Sequence, residues 1–566
     1  LDSYSTFFEN DHITPTGLEG YLKSLGVTHL YLTGLATDYC VKYSALDACR
    51  LGFTVSVISE AVRGVNYPEE GVSIMQETGY CFQSALFTDF YELTMAQGYW
   101  KRGMNHRAVF DMFFRRQPFN GGFSVFAGLE TFLDKLASFH FSSEDIEYLE
   151  SLSYFDRDFL AYLRDFRFSG DVWAMDEGTI VFPQEPLIRI DANLIEAQII
   201  EGMLLNTINF QSLIATKTAR VYLASNKGTI MEFGLRRAQG PDGAMSASRA
   251  AYIGGASSTS NVLAGKTFGI PVMGTMAHSW IMSFPSEEAA FDAYAETYPD
   301  RTVFLIDTYD TLDSGIKNAI KVGKKLAAQG KRFGVRLDSG DIHYLSVEVR
   351  KALDAAGLKQ ATIAVSNDLD ESIIQTLTAA KAPIDSWGVG TNMVTGGTEA
   401  AFTGVYKLAA REIVGGELQP TIKFSDNPEK TTNPGVKQVW RLYSPDGMAD
   451  ADVMTLDQKL VHDPGATNDI IRKGVEQAFW HPAADYRHFH YTPQGDIEQL
   501  LKLRMKRGEL VTNHPTLASI QQRVRLGLDR FDGSYKRILN PHIYKVSISE
   551  QLRNLKLHLI QEYLGE

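Results

Sequence analysis

The alternation of apolar and polar positions divides the chain into stretches of different rhythm. Gly17 to Leu25 reads as a short helix and His29 to Thr33 as a buried strand. Asp38 to Leu51 then reads as a helix and Phe53 to Ile58 as a second strand, with Gly52 placed to end the helix. Strand, helix and strand in this order predict a parallel βαβ unit, and we set it apart as residues 1–80. Apolar residues spaced three and four apart from Leu194 to Thr218 predict a long core helix. Further on, strand-like and helix-like segments alternate: Val303 to Ile306, Ile316 to Gln329, Phe333 to Leu337, Ser346 to Ala356, Ala361 to Val365, Leu369 to Ala380 and Ser386 to Val389. That rhythm predicts a parallel α/β barrel over 226–399, with the segments 84–225 and 400–566 forming an α+β domain.

The strands of the repeating region end in polar or glycine-rich clusters: Asp307 to Asp310, Asp338 to Asp341, Ser366 to Asp368 and Gly390 to Asn392. In a parallel barrel such clusters converge on one mouth. Just before them, Gly228 to Phe284 gathers the parts of an anion site. The short apolar run Ile230, Met231 and Phe233 leads into paired Arg236 and Arg237. A Gly-Pro-Asp-Gly sequence at 240–243 predicts a tight turn, and Ala244 to Tyr252 a small-residue helix. A hydroxyl-rich loop from Gly254 to Asn261 follows, then a strand-like Ile270 to Met273 and the turn Gly274 to Ser279 containing His278. Arginines, glycines and hydroxyls in this order suit phosphates and a small anion. The same residues also suit a solvated surface and a flexible connection.

The sequences GLRRAQGPDGAMSAS and GTMAHS closely resemble nicotinate phosphoribosyltransferases, a type II phosphoribosyltransferase family. The resemblance continues through LFTDFYELTM, FFRRQPFNGGFSVFAGLE and GVRLDSGD to the tail, over residues 84 to 566. Read bare, LFTDFYELTM is a capped helix start and the FFRR stretch an aromatic strand pair around a Gly-Gly turn. The resemblance implies a His278 phosphorylated by ATP and a Tyr91 that stacks on the pyridine ring, with a homodimer sharing its sites. It implies substrate contacts from Phe233, Arg236, Ser258, Ser260, Ser279 and Arg336, and a 5′-phosphate cradle of Gly388, Gly390 and Thr391. Asp338 enters as a catalytic residue, and Asp338 with Asp341 suits Mg²⁺ or ribose hydroxyls. The expected activity joins nicotinate to phosphoribosyl pyrophosphate with coupled ATP hydrolysis. A nicotinamide-using relative and a silent binding protein that keeps the fold are the rival expectations.

Within the first eighty residues, GLATDYCVKYSALDA and VISEAVRGVN resemble the C-terminal part of nicotinamidases, of the isochorismatase-like fold. The resemblance implies that Cys40 matches the nucleophile, with the amides of Ala36 and Cys40 as an oxyanion hole. That family also needs an aspartate, a lysine and a metal site upstream of the matching part, and the sequence given offers no substitutes for them. The segment is therefore expected to be an incomplete remnant or a truncated fusion, with a bifunctional nicotinamidase and phosphoribosyltransferase as the alternative. A thiol without its base is poorly activated, and a positioned base contributes about a hundredfold or more. Ammonia release from nicotinamide is expected at background, and Cys40→Ala should leave phosphoribosyl transfer unchanged. Cys40-dependent ammonia production would overturn this.

Composition narrows the picture further. The chain has 566 residues, enough for two to four domains, with 44% hydrophobic and 22% charged residues. A net charge of −13 argues against nucleic acid or an anionic membrane as partner, since bound phosphates then need a focused basic cleft. Three cysteines, Cys40, Cys49 and Cys81, make no disulfide framework, so a reducing cytoplasm is expected.

Overall fold

The computed structural model describes residues 5–8, 14–35, 40–63, 84–413, 416–425, 427, 430–457 and 469–565. The chain forms two compact units, Leu1–Ser84 and Ala85–Glu566. In the first, strands β1 (His29–Leu35) and β2 (Thr54–Arg63) pair in parallel across helix α1 (Lys42–Arg50), as the pattern predicts. Gly52 has φ +88°, the left-handed conformation that ends a helix cheaply only with glycine. Phe7, Ala48 and Phe53 form its small buried core. Residues 36–39, and with them Ala36 of the expected oxyanion hole, lie outside the described residues, as do His12, Cys81 and 64–66 of VISEAVRGVN.

The second unit is organised on one long buried helix, α2 (Glu201–Ala224). The predicted Leu194 to Thr218 helix is in fact two, broken at Ile200 after Leu194–Ile199. The unit also holds a parallel sheet, whose elements follow in chain order. They are β3 (Thr229–Glu232), α3 (Gly240–Gly254), β4 (Ser258–Thr259), β5 (Val303–Leu305), β6 (Gly334–Leu337), α4 (Ile342–Ala355), β7 (Thr362–Val365), α5 (Glu371–Ala379) and β8 (Ser386–Val389). Of these, helices α3 and α5 pack against α2. The strand order is β5-β6-β7-β8-β3-β4, and every pairing is parallel.

The expected strand Ile270 to Met273 is reduced to a single parallel bridge between Val272 and Thr259. Pro271 has no N–H to give, so the segment is held only by Thr259 N–H to the Pro271 carbonyl and Met273 N–H to the Thr259 carbonyl. Gly240 to Gly243 is a second correction. Its four residues are the first turn of α3, with Pro241 at the position where a missing N–H costs nothing.

An antiparallel sheet of seven strands draws on both ends of the unit. Gly404–Glu412 pairs with Arg107–Phe114, which pairs with Ile188–Asn193; Asp171–Ala174 follows and pairs with Lys502–Lys506. The expected hairpin around Gly121 and Gly122 does not form: Ser124–Val125 pairs instead with Ile180–Val181. Gly122 provides packing space, because a Cβ there would stand 2.3 Å from the carbonyl oxygen of Tyr535. A six-stranded sheet with one parallel pairing, Ala449–Leu456 beside Lys545–Ser549, completes the unit. Among the described residues no helix is long and apolar enough to cross a membrane.

Candidate active site

The C-terminal ends of the parallel strands open into one cleft of about 420 Å³. Its lining comes from five of the six strand ends: Phe233 after β3, Ser260 after β4, Arg336 and Asp338 on and after β6, Ser366 to Asp368 after β7, and Gly388, Gly390 and Thr391 at β8. Arg236, Arg237 and the turn Gly274 to His278 close the remaining sides.

Local structure explains how these side chains are held. Glu232, 1% exposed at the end of β3, accepts from the Gly234 amide, from Ser248 Oγ at 2.9 Å and from Thr259 Oγ1 at 2.5 Å. One buried carboxylate thus ties together the strand end, helix α3 and β4, and the Phe233 to Arg237 loop keeps its shape. Gly388 is small for the sake of the Phe233 ring, whose carbons lie 2.7 Å from where its Cβ would be. Asn367 has φ +116°, a conformation seldom taken by a residue with a side chain and a local strain at the mouth of the cleft.

His278 begins a short helix, and its Nδ1 lies 3.0 Å from Thr308 Oγ1. Its Nε2 stands 3.7 Å from Asp338 Oδ2, and its side chain is 40% exposed. The Thr308 contact links the turn after Val272 to the loop after β5, so side chains join the two margins of the parallel sheet. Asp338 accepts from Ser366 Oγ, while its own amide donates to Asp307 Oδ2 at 2.8 Å. Ser339 Oγ also donates to that oxygen, at 2.6 Å. Burial holds the Arg336 guanidinium below its ordinary pKa and Arg236 adds to the effect, against the pull of Asp338 and Asp307.

The structure therefore brings Phe233, Arg236, Ser260, His278, Arg336, Asp338, Gly388, Gly390 and Thr391 to one place. Five other expected residues lie outside the cleft lining. Asp341 caps α4, its carboxylate accepting from the Tyr344 amide at 3.0 Å. Ser279 is exposed beyond His278. Ser258 is 3% exposed and its Oγ is buried without a hydrogen bond. Cys40, exposed just before α1, belongs to the first unit. Tyr91 is half exposed on the helix Phe90–Lys101, and burial together with Glu201 and Glu92 raises its hydroxyl pKa. The sequence reading left Arg237, Thr275, Asn367 and Asp307 without a role, although each stands in a motif it singled out. The buried Glu232 gave no signal at all, because an acid inside a strand looks like any surface acid.

Family comparison agrees with this geometry. The family model described as "Nicotinate phosphoribosyltransferase (NAPRTase) family" matches residues 229–462, the one for its N-terminal domain 86–209, and the one for its C-terminal domain 436–556. Nicotinate phosphoribosyltransferase of Bacillus subtilis (strain 168) is 42% identical over 491 residues, 86% of this chain and 98% of that one. The chain belongs to the nicotinate phosphoribosyltransferase family. The Homo sapiens nicotinate phosphoribosyltransferase is 35% identical over 529 residues, covering 83% of this chain and 95% of its own. The crystal structure of human nicotinic acid phosphoribosyltransferase superposes with a TM-score of 0.72 at 32% identity, covering 83% of this chain and 99% of that one. The type II phosphoribosyltransferase fold is thus that of the second unit. Residues 3–78 match the isochorismatase domain model, in agreement with the βαβ reading of the first.

Two predictions arise here. Ser260→Asp places a carboxylate in the cleft and should raise the nicotinate requirement, whereas Ser258→Asp buries an unpaired charge and should cost about 3–5 kcal/mol of stability. Steady-state kinetics beside urea unfolding separates the two effects; similar behaviour of both variants would count against it.

The second concerns Glu92, which is 0% exposed and hydrogen-bonded by Thr88 Oγ1. Burial pushes its carboxyl up to about 7; Glu201 and Asp89 push the same way, against the Thr88 hydrogen bond. The folded state then holds a proton that the unfolded state has lost above its ordinary 4.5. Stability from this group is complete below that pH and falls as pH rises towards 7. Glu92→Gln should flatten the thermal midpoint across this window, and an unchanged slope would refute the assignment.

Proposed function

We propose that this chain forms nicotinate mononucleotide and pyrophosphate from nicotinate and phosphoribosyl pyrophosphate, with ATP hydrolysis coupled through His278. The observation that carries the reading is the single cleft in which Arg336, His278, Asp338 and the glycine-rich end of β8 meet. Bond breaking at C1 of the ribose develops positive charge on the sugar while pyrophosphate departs. The chain's residues serve that step by holding both ends of the donor and excluding water. The amides at Gly390 and Thr391 suit the 5′-phosphate at the strand-to-helix turn, as in many parallel barrels. Arg336 pairs with the pyridine carboxylate, and Phe233 offers its ring face alongside.

Magnesium would neutralise charge on the departing pyrophosphate. Among the described residues no group of three or more acidic, histidine or cysteine side chains forms a cage for a metal. Asp338, which lines the cleft, is the carboxylate that would meet such an ion. Asp341, spent on capping α4, is the weaker of the two expected ligands.

The position of Tyr91, half exposed and outside the cleft of its own chain, supports a role in the site of a second copy and hence a homodimer. The division into a barrel over 226–399 and an α+β domain from the flanking segments belongs to the same reading, as does a cytoplasmic setting. The test supplies nicotinate or nicotinamide with phosphoribosyl pyrophosphate and Mg²⁺, with and without ATP, and follows mononucleotide and phosphate. Nicotinate-dependent product stimulated by ATP is expected; equal turnover of nicotinamide would favour the amide-using relative.

A further inference from the structure

Only part of the Arg336 guanidinium is occupied. Its Nη1 donates to the hydroxyl oxygen of Thr275, whereas its Nε–H is buried and has no hydrogen-bond partner. Among the described residues no ion pair ties it to Asp338 or Asp307, whose carboxylate oxygens accept from Ser366, from Ser339 and from the Asp338 amide. The Thr275 hydroxyl donates in turn to the Met276 carbonyl at 3.3 Å. A hydroxyl has one proton and two lone pairs, so with its proton turned to Met276 it meets Arg336 as an acceptor.

The consequence is directional. A guanidinium is a rigid plane with five N–H donors, and fixing one terminal nitrogen fixes where the others point. With Nη1 turned to Thr275, the edge carrying Nε is left to meet a ligand. That edge presents two parallel N–H groups, which match the two oxygens of a carboxylate. A carboxamide offers one oxygen and an NH₂, so one of the two donors would face another donor.

We propose that Thr275 is the positioning residue that aims Arg336, and that this pair sets the preference for a pyridine carboxylate over a pyridine carboxamide. The proposal rests on the reading that the substrate's carboxylate docks at Arg336. It assigns the selectivity to an acceptor behind the arginine, not to the hydroxyls of the Ser257 to Ser260 loop, of which Ser258 is buried away from the cleft lining.

The test compares Thr275→Val, Thr275→Ser and Arg336→Ala in the full chain. It records KM for nicotinate, KM for phosphoribosyl pyrophosphate, kcat, turnover of nicotinamide and thermal midpoint. Thr275→Val keeps the shape and removes the acceptor. It should raise KM for nicotinate roughly ten- to hundredfold, the range that a lost hydrogen bond to a charged group corresponds to. KM for phosphoribosyl pyrophosphate should stay as in the parent, and the ratio of nicotinate to nicotinamide use should fall by a similar factor. Thr275→Ser, which restores the hydroxyl, should return both values towards the parent.

An unchanged nicotinate KM in Thr275→Val, with a raised one in Arg336→Ala, would overturn the positioning role alone. An unchanged nicotinate KM in Arg336→Ala would instead overturn the docking of the carboxylate. A uniform loss in both KM values and in thermal midpoint, shared by Thr275→Ser, would make Thr275 a structural residue and also overturn the proposal.

Discussion

Replacing His278 with alanine should abolish the stimulation of mononucleotide synthesis by ATP while leaving a slow, ATP-independent reaction. The imidazole stands at the cleft, with Nδ1 engaged by Thr308 and Nε2 turned towards Asp338. One nitrogen is therefore oriented and the other is available at the polar end of the sheet. A phosphoryl group there would bring negative charge beside Asp338 and within the field of Arg336 and Arg236, reorganising the pyrophosphate end of the cleft. The glycine-rich strand end and Arg336 remain in the variant, so substrate binding and a basal rate should survive. Two measurements check this: the ratio of initial rates with and without ATP, which should fall to unity, and acid-labile phosphate on the protein, which should disappear. Equal ATP stimulation in parent and variant would remove His278 from the mechanism.

The largest loss of stability is expected from Arg249→Ala. Arg249, on α3, makes a two-pronged pair with Glu177, Nη1 to Oε1 at 2.6 Å and Nη2 to Oε2 at 2.8 Å, and Nη1 also reaches Gln211 on α2. Glu177 is 1% exposed and accepts further from the amides of Gly128 and Glu130. Burial alone would raise the Glu177 pKa, but Arg249 together with the Gly128 and Glu130 amides outweighs it and the carboxyl is held below its ordinary value. Removing the arginine leaves a buried charge without its counter-ion, which typically costs about 3–5 kcal/mol. Equilibrium unfolding in urea should show that shift, and Glu177→Gln in the same background should recover part of it. A loss below about 1 kcal/mol, the scale of a surface pair, would show that water reaches the carboxylate.

Much of the second unit was legible because its physics is periodic. Buried parallel strands are short apolar runs, each followed by polar residues, and β5 to β8 fall where those runs lie. The residues that line the cleft sit where such strands end, which is why nine of the expected residues meet there.

What escaped depended on partners distant in sequence. Gly-Pro-Asp-Gly at 240–243 carries the residues of a turn, but proline and aspartate also suit a helix's first turn, and packing of α3 on α2 decides for the helix. Phe-Asn-Gly-Gly-Phe looks like a hairpin until Tyr535 occupies the space beside Gly122. Ser258 and Ser260 look alike on paper, yet the first lies within β4 with its hydroxyl buried, whereas the second follows the end of that strand and lines the cleft. Asp341 resembles Asp338 as a candidate ligand, but three residues further on a helical amide claims it.

The interleaving of the seven-stranded sheet has a kinetic consequence. Arg107–Phe114 receives Ile188–Asn193 on one side early in synthesis, but its other neighbour, Gly404–Glu412, is made only after the whole parallel sheet. The Arg107 amide waits 305 positions for the Glu412 carboxylate that accepts its hydrogen bond. A ribosome adding roughly 5–20 residues per second leaves that edge open for many seconds, during which its unpaired N–H and C=O groups can template the wrong strand. Contacts of such long range also make folding slow, because loop closure must be paid for before pairing rewards it. The pairings of Arg107–Phe114, Ile188–Asn193 and Asp171–Ala174 and then the whole parallel sheet can thus form before that edge is covered, and a nascent chain stalled before Gly404 is the species most in need of a chaperone.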